Sequence, residues 1–137
     1  MKRQLVRTAS PYEVSESFAR AVVVDNWVYV SQCAGIVYDT QELPTTVEGQ
    51  TNQALDNVEN ALRAAGASLA DVVRRMVIIP NVDDAAQIMG IVGERFRGLN
   101  PSNVVFCSPL GAPQYLLEIE VTAYRGLGDA ETQTITI

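Results

Sequence analysis

Carboxylates are the leading candidates for chemistry in this chain of 137 residues, because the sequence contains no histidine. Without an imidazole the chain cannot form a Ser-His-Asp or Cys-His arrangement, and it lacks the commonest general base near neutral pH. Any reaction must therefore use carboxylates, arginines, backbone groups and bound water. The most suggestive pair is Glu118 and Glu120, which lie on the same face of a predicted strand because strand side chains alternate.

The residues alone leave two interpretations of this acidic face open. It is equally well explained as a solvated or interface face with a cross-strand charge pair, or as a place where Glu118 positions a water molecule. Glu120 is interpreted as structural and paired with Arg74 or Arg75 on a neighbouring strand.

Two further strands carry polar groups at alternating positions. Asn103, Val105 and Cys107 share one face of a predicted strand, and Ser31 and Cys33 share one face of another. A cleft between these strands would be lined by amide, hydroxyl and thiol groups. The favoured interpretation of both cysteines is that they are reduced and buried, with a nucleophilic thiol as the less favoured one, because no histidine is present to lower a thiol pKa.

Phe18 and Arg20 are two residues apart in an extended segment, so they face the same side. Arg20 is interpreted either as a clamp for an anionic ligand or, in the favoured alternative, as a surface or intersubunit arginine. We predict no metal site and no cofactor, because the cysteines lack metal-ligand spacing and the glycines do not form a phosphate-binding loop.

Length and composition predict a single domain over residues 1–137. The net charge of −6 repels phosphate backbones, so we expect no nucleic-acid partner. No apolar run is long enough to span a bilayer, and the first residues lack the apolar core of a signal peptide. We therefore expect a cytoplasmic protein without a membrane partner.

The hydrophobic pattern predicts an α+β fold with a mixed sheet and both helices on one face. Asp25-Asn26 predicts a two-residue hairpin, Thr45 and Glu48 a capping box that opens the first helix, and Asn81 with Asp84 the cap of the second. The predicted strands cover residues 21–24, 27–31, 72–79, 104–108 and 116–124. The other sheet face needs cover, which predicts self-association, and residues 132–137 alternate as an additional edge strand would, within the chain or across a subunit boundary.

Five segments are similar to the YjgF / reactive intermediate deaminase (Rid) family, also called endoribonuclease L-PSP. They are residues 17–22 before the hairpin, Val30-Ser31-Gln32-Cys33 in it, residues 50–58 in the first helix, residues 65–73 after that helix, and the stretch from Pro101-Ser102-Asn103 to Glu118-Ile119-Glu120. The resemblance implies a chorismate-mutase-like (YjgF-type) α+β fold and a homotrimer with three clefts between subunits.

In family members that hydrolyse imines, an arginine binds the substrate carboxylate, the first glutamate of Glu-Ile-Glu positions water, and a tyrosine lines the cleft. Here Glu118 retains the glutamate, Asn103 replaces the arginine and Phe18 replaces the tyrosine. Asparagine brings neither a charge nor a bidentate fork, so the carboxylate should be held less tightly. The resemblance implies Glu118 as the catalytic residue and places Asn103 and Phe18 in the substrate-binding cleft. The shared strand faces add five candidate substrate-binding residues, which are Arg20, Ser31, Cys33, Val105 and Cys107.

The resulting functional hypothesis is a hydrolytic imine or enamine deaminase of non-standard specificity, which releases ammonia from a small polar metabolite. That metabolite is anionic if Arg20 replaces the missing charge. The alternative is a non-catalytic trimer that binds a ligand in the same cleft. Endoribonuclease or translation-inhibitor activity ranks last because of the net charge of −6 and the missing histidine.

Overall fold

A computed structural model describes all residues, 1–137, as one six-stranded sheet with helices and short 3₁₀ turns. The strands are β1 (Arg3–Val6), β2 (Ala21–Val24), β3 (Trp27–Ala34), β4 (Val72–Ile79), β5 (Ser102–Cys107) and β6 (Glu118–Tyr124). The helices are α1 (Pro11–Ser15), α2 (Val47–Ala64) and α3 (Ala85–Arg95), and the 3₁₀ turns are Leu69–Asp71, Val82–Asp84 and Leu127–Asp129.

The sheet has the strand order β1-β2-β3-β6-β4-β5. All neighbouring strands are antiparallel except β4 and β5, which are parallel and are connected through α3. The predicted hairpin joins β2 to β3, and its first turn residue, Asp25, has a φ of 52°. The mixed sheet therefore confirms the predicted α+β class.

Both long helices pack on the same face of the sheet, as predicted. Leu55 and Leu62 of α2, and Ile88 and Val92 of α3, are fully buried in one core with the inward side chains of the central strands. Val77 and Ile119 belong to that core, and period-2 alternation turns Ile78 and Glu118 to the opposite face.

The opposite face carries exposed aromatic side chains near the hairpin. Trp27, Tyr29 and Tyr124 are 39%, 48% and 37% exposed, and the Trp27 and Tyr124 rings meet edge to face with centroids 5.0 Å apart. Large aromatic rings left half in water are typical of an association surface. No helix has the length and apolar character needed to cross a bilayer.

Three local features differ from the prediction. Helix α2 is capped by the Thr46 side chain, which accepts from Gly49 N, instead of by a Thr45–Glu48 box. Residues 130–137 form no strand within the protomer. Strand β1 and helix α1 lay outside the prediction, because the first is short and polar and the second has only five residues.

Candidate functional site

A cleft of about 500 Å³ opens where α1 and the loop before β6 approach the start of β2 and the end of β3. Its lining includes acidic and aromatic side chains together with one arginine. These are Glu16, Glu118, Glu120, Tyr12, Phe18, Tyr38, Tyr115 and Arg20. Four of the predicted site residues therefore meet here, namely Phe18, Arg20, Ser31 and Glu118.

Glu118, the first residue of β6, presents a free carboxylate to this cleft. It is half-buried and has neither a hydrogen-bond partner nor an ion-pair partner in the protomer. Burial raises the pKa of Glu118, and the positive charge of Arg20 offsets part of that rise. A partly dehydrated carboxylate with a raised pKa is a stronger base than an exposed one, which suits proton transfer with a bound water.

Arg20 is buried, with an exposure of only 3%, so it is not a surface arginine. Its Nε donates to Glu13 Oε2 at 3.3 Å, and its Nη1 donates to the carbonyl of Gln32 at 2.7 Å. The guanidinium carbon lies 4.6 Å from the centre of the Tyr38 ring and 5.4 Å from that of Phe18. Within the protomer only Nη2 is left without a hydrogen bond.

Glu13 explains why Arg20 is held so firmly. Its carboxylate is 1% exposed and also accepts from the backbone N–H of Thr8, at 3.0 Å, and from the Thr8 hydroxyl. The positive charge of Arg20 is therefore already balanced by a buried counter-charge. Because Glu16, Glu118 and Glu120 also line the cleft, its side chains carry more negative than positive charge.

A β-bulge separates Ser31 from Cys33, which the alternation had placed on one face. The pairing of β3 with β6 shifts register between Val30 and Cys33, so Ser31 stays on the cleft side while Cys33 turns into the core with 0% exposure. The Ser31 hydroxyl donates to the carbonyl of Ala19 at 2.7 Å. Burial raises the pKa of Cys33, which argues against a nucleophilic thiol.

Asn103, Val105 and Cys107 share a face of β5, as predicted, but it is the helix-bearing face. They lie in register with Arg75, Val77 and Ile79 of β4, whereas Glu118 projects from the other face. All three are exposed at the edge of the sheet, including Cys107, which we expected to be buried. Only a neighbouring protomer can bring this edge to a Glu118 cleft.

The predicted ion pair of Glu120 with Arg74 or Arg75 is absent from the protomer. Glu120 lies opposite Met76, Arg74 lies opposite Thr122, and Arg75 lies opposite Val121 and projects from the helix-bearing face. Glu120 instead lines the cleft. Glu120 therefore has no arginine partner within the protomer, in contrast to the prediction that it has a structural role in such a pair.

Two buried amides of α2 fix the walls of the cleft. Gln50 donates to the carbonyls of Pro44 and Gln114 and accepts from Leu116 N, so it ties the loop before β6 to the helix. Asn57 donates to the carbonyls of Ala34 and Ile36 at 2.9 and 2.8 Å, where the chain leaves β3 toward Tyr38. These two residues position the loops that carry the aromatic lining.

Sequence reasoning missed Glu13, Glu16, Tyr12 and Tyr115 as parts of the site. They lie in or beside a one-turn helix and in a loop, where no periodicity marks them. Tyr38, which also lines the cleft, lies in a turn after β3. In the structure its hydroxyl is buried without a hydrogen-bond partner, and burial raises the pKa of Tyr38, which keeps the phenol a neutral donor.

The family described as Endoribonuclease L-PSP matches residues 8–125. The chain belongs to this family. It is 31% identical over 134 residues to the RutC family protein UK114 of Drosophila melanogaster, covering 97% of this chain and 96% of the relative. It is 27% identical over 125 residues to the 2-iminobutanoate/2-iminopropanoate deaminase of Rattus norvegicus, covering 90% and 91%.

Solved structures of the family have the same fold. A member of the YjgF/YER057c/UK114 family from Mycobacterium tuberculosis superposes with a TM-score of 0.82 at 30% identity, covering 90% of this chain and 99% of that one. This agreement confirms the predicted family and the predicted YjgF-type fold. The family includes the relative named 2-iminobutanoate/2-iminopropanoate deaminase.

Proposed function

We propose that this protein is a hydrolytic deaminase that converts a small imine, or the enamine that tautomerises to it, into a carbonyl compound and ammonia. The observation that carries the proposal is the unpaired, half-buried Glu118 carboxylate in an aromatic cleft. Support also comes from the relatives named 2-iminobutanoate/2-iminopropanoate deaminase, to which the chain is similar over nine-tenths of its length.

In the first step, Glu118 accepts a proton from a bound water as the water oxygen attacks the C=N carbon. The imine reacts in its protonated, iminium form, so a C–O bond forms, the π electrons of the C=N bond pass to nitrogen, and a neutral carbinolamine results. Holding the water beside the imine carbon supplies much of the acceleration, since the reaction becomes effectively intramolecular.

In the second step, the protonated Glu118 returns its proton to the amino nitrogen of the carbinolamine. The C–N bond breaks, the hydroxyl oxygen forms the new carbonyl as its proton passes to the Glu118 carboxylate, and ammonia takes up that proton and leaves as ammonium. One residue acts as base and then as acid, which a raised carboxyl pKa favours near neutral pH.

The working unit in this proposal is a homotrimer with its clefts between subunits. Two features support it: the exposed aromatic patch of Trp27, Tyr29 and Tyr124, and the position of Asn103, Val105 and Cys107 on an edge that faces away from the cleft of the same protomer. A neighbouring protomer would complete each cleft and exclude water from it.

The test is turnover of 2-iminobutanoate generated in situ, followed by formation of the 2-oxo acid above the spontaneous rate. Wild type should accelerate hydrolysis, and Glu118→Gln should lower kcat by about a hundredfold or more, in the range typical of a lost general base. Activity should fall as the pH drops through the pKa of Glu118, at a higher pH than for an exposed glutamate, because protonation removes the base.

Glu120→Gln is the matched control, since this carboxylate lies two residues along the same strand and lines the same cleft. It should keep most of the turnover. A ligand that binds without accelerated hydrolysis would favour the non-catalytic binding trimer. Equal turnover by Glu118→Gln and wild type would refute the assigned base.

A further inference from the structure

A second cavity, on the helix-bearing side of the sheet, contains an arginine without an anionic partner. This cavity of about 490 Å³ lies beyond the end of α3 and is lined by Arg75, Phe96, Arg97 and Asn100 among others. Arg97 is paired with Glu94, whereas Arg75 forms no ion pair. The Arg75 Nη1 is buried without a hydrogen-bond partner, which is rare because an unsatisfied buried N–H is costly.

Two neighbours hold the Arg75 guanidinium in one orientation. Its Nε donates to Asn103 Oδ1 at 2.9 Å, across the parallel β4–β5 pairing in which the two residues are in register. Its guanidinium carbon lies 4.8 Å from the centre of the Phe96 ring. These contacts leave both terminal nitrogens unused, so the group is a fixed fork of N–H donors of the kind that binds a carboxylate.

The local electrostatics show that nothing in the protomer compensates this charge. Burial lowers the pKa of Arg75, since no carboxylate is close enough to offset the cost of dehydrating the guanidinium. Arg20, by contrast, is balanced by Glu13 at 3.3 Å. Of these two arginines, only Arg75 lacks a carboxylate partner in the protomer.

We propose that Arg75, positioned by Asn103 and Phe96, binds the carboxylate of a short 2-imino or 2-oxo acid. This inference rests on the proposed function, because it assigns the acid group of that substrate. Asn103 occupies the position where the family resemblance places an arginine, and in this chain it acts as the residue that orients Arg75. The guanidinium is supplied from the neighbouring strand instead of from position 103.

The positions of Arg75 and Glu118 on the sheet indicate which protomer supplies the guanidinium to a given cleft. Arg75 projects from the helix-bearing face and Glu118 from the other, so one protomer cannot place both around one small ligand. Arg75 therefore acts in the cleft of an adjacent protomer, where it brings a positive charge to a lining that contains Glu16, Glu118 and Glu120. The charge gives specificity for an acid over its neutral analogue.

The experiment is calorimetric titration of the intact protein with 2-oxobutanoate, the hydrolysis product of 2-iminobutanoate, and with its uncharged methyl ester. Wild type should prefer the acid. Arg75→Ala should weaken binding of the acid by about ten- to a hundredfold and leave binding of the ester unchanged. Arg74→Ala is the matched control, because Arg74 is adjacent on the same strand but projects from the other face, and it should bind as wild type does.

A double variant that places the guanidinium at position 103 tests whether binding of the acid can be restored. Arg75→Ala/Asn103→Arg should recover most of the lost affinity, and Arg75→Lys should lie between wild type and Arg75→Ala, because lysine keeps the charge but loses the fork. If Arg75→Ala fails to fold, Arg75→Lys and the double variant carry the test.

The proposal is overturned if wild type binds acid and ester equally, if it binds neither, or if Arg75→Ala retains wild-type affinity for the acid. Hydrolysis of imines at Glu118 is measured separately by turnover. A deaminase that is indifferent to Arg75 would refute the carboxylate site alone, whereas a protein that binds the acid through Arg75 without turnover would refute the hydrolysis alone.

Discussion

The Arg20–Glu13 pair is a buried ion pair whose arginine lines the cleft. Both side chains are nearly inaccessible, and each forms a further hydrogen bond, the arginine with Gln32 and the glutamate with Thr8. Removing one member of such a pair leaves an uncompensated buried charge, which costs far more than the intact pair contributes.

We therefore predict that Arg20→Met destabilises the fold by about 3–5 kcal/mol, in the range for a broken buried pair, when unfolding is followed in urea. The double variant Glu13→Gln/Arg20→Met should recover much of this loss, because no charge is then left unpaired. The opposite result would be a stable Arg20→Met variant whose only defect is weaker binding of an acid. It would support the interpretation of Arg20 as a clamp for an anionic ligand.

Glu118 illustrates the conflict between stability and function at a single residue. Its raised pKa means that the ionised carboxylate is less favourable in the folded chain than in the unfolded chain. By linkage, the fold gains stability from this group only at low pH and loses it as the pH rises through the folded-state pKa. In the proposed mechanism Glu118 works as the ionised carboxylate, and this form lowers the free energy of unfolding.

At the scale of elements, the chain packs tightly against helix α2 where it leaves β3, next to the cleft residues Ala34 and Ile36. A methyl group at Gly35 would lie 2.2 Å from the carbonyl oxygen of Gln50, so only glycine lets the strand approach the helix this closely. The Gln50 side chain also forms hydrogen bonds with Gln114 and Leu116, on either side of Tyr115. Gln50 therefore contacts the end of β3 through its backbone and the loop before β6 through its side chain.

Gly35→Ala should accordingly lower the melting temperature and increase amide hydrogen exchange in residues 111–117, because β3 and α2 must separate to admit the methyl group. Gly111→Ala is the control, since a methyl group at that position would have no neighbouring atom within 4 Å. Equal stability of the two variants would show that the approach is not a constraint.

The elements with strong periodicity were predictable, and those that depend on register were not. Alternation and helical spacing located β2, β4, β6, α2 and α3. The bulge between Val30 and Cys33 was not visible, because it follows from how β3 pairs with β6 and not from the residues of β3. That single shift separated Cys33 from Ser31 and removed the thiol from the cleft.

The same limit applied to the candidate site. Glu118, Phe18 and Ser31 were predictable because the resemblance covers their segments. Arg75 was visible in the sequence only as a charge for Glu120, since its pairing with Asn103 depends on the parallel register of β4 and β5. Glu13 was missed because a five-residue helix leaves no periodic signal.

At the scale of the whole molecule, the two halves of the proposed site lie on opposite faces of one sheet. The cleft with Glu118 is on the face that carries the exposed aromatic patch, and the Arg75–Asn103 pair is on the helix-bearing face near the free edge of β5. A head-to-tail ring of subunits joins one half to the other at every interface, so a trimer would contain three complete sites.

Subunit mixing tests this central claim most directly. Arg75→Ala and Glu118→Gln are each expected to be nearly inactive on 2-iminobutanoate at low substrate concentration, and each is confirmed as a trimer by light scattering. Unfolded together in equal amounts and refolded, they should regain activity, because about one quarter of the interfaces then join an intact Arg75 to an intact Glu118. Recovery to about that fraction of wild-type activity is the result we expect, and a mixture no more active than the separate variants, although mixed trimers form, would contradict a site shared between two subunits.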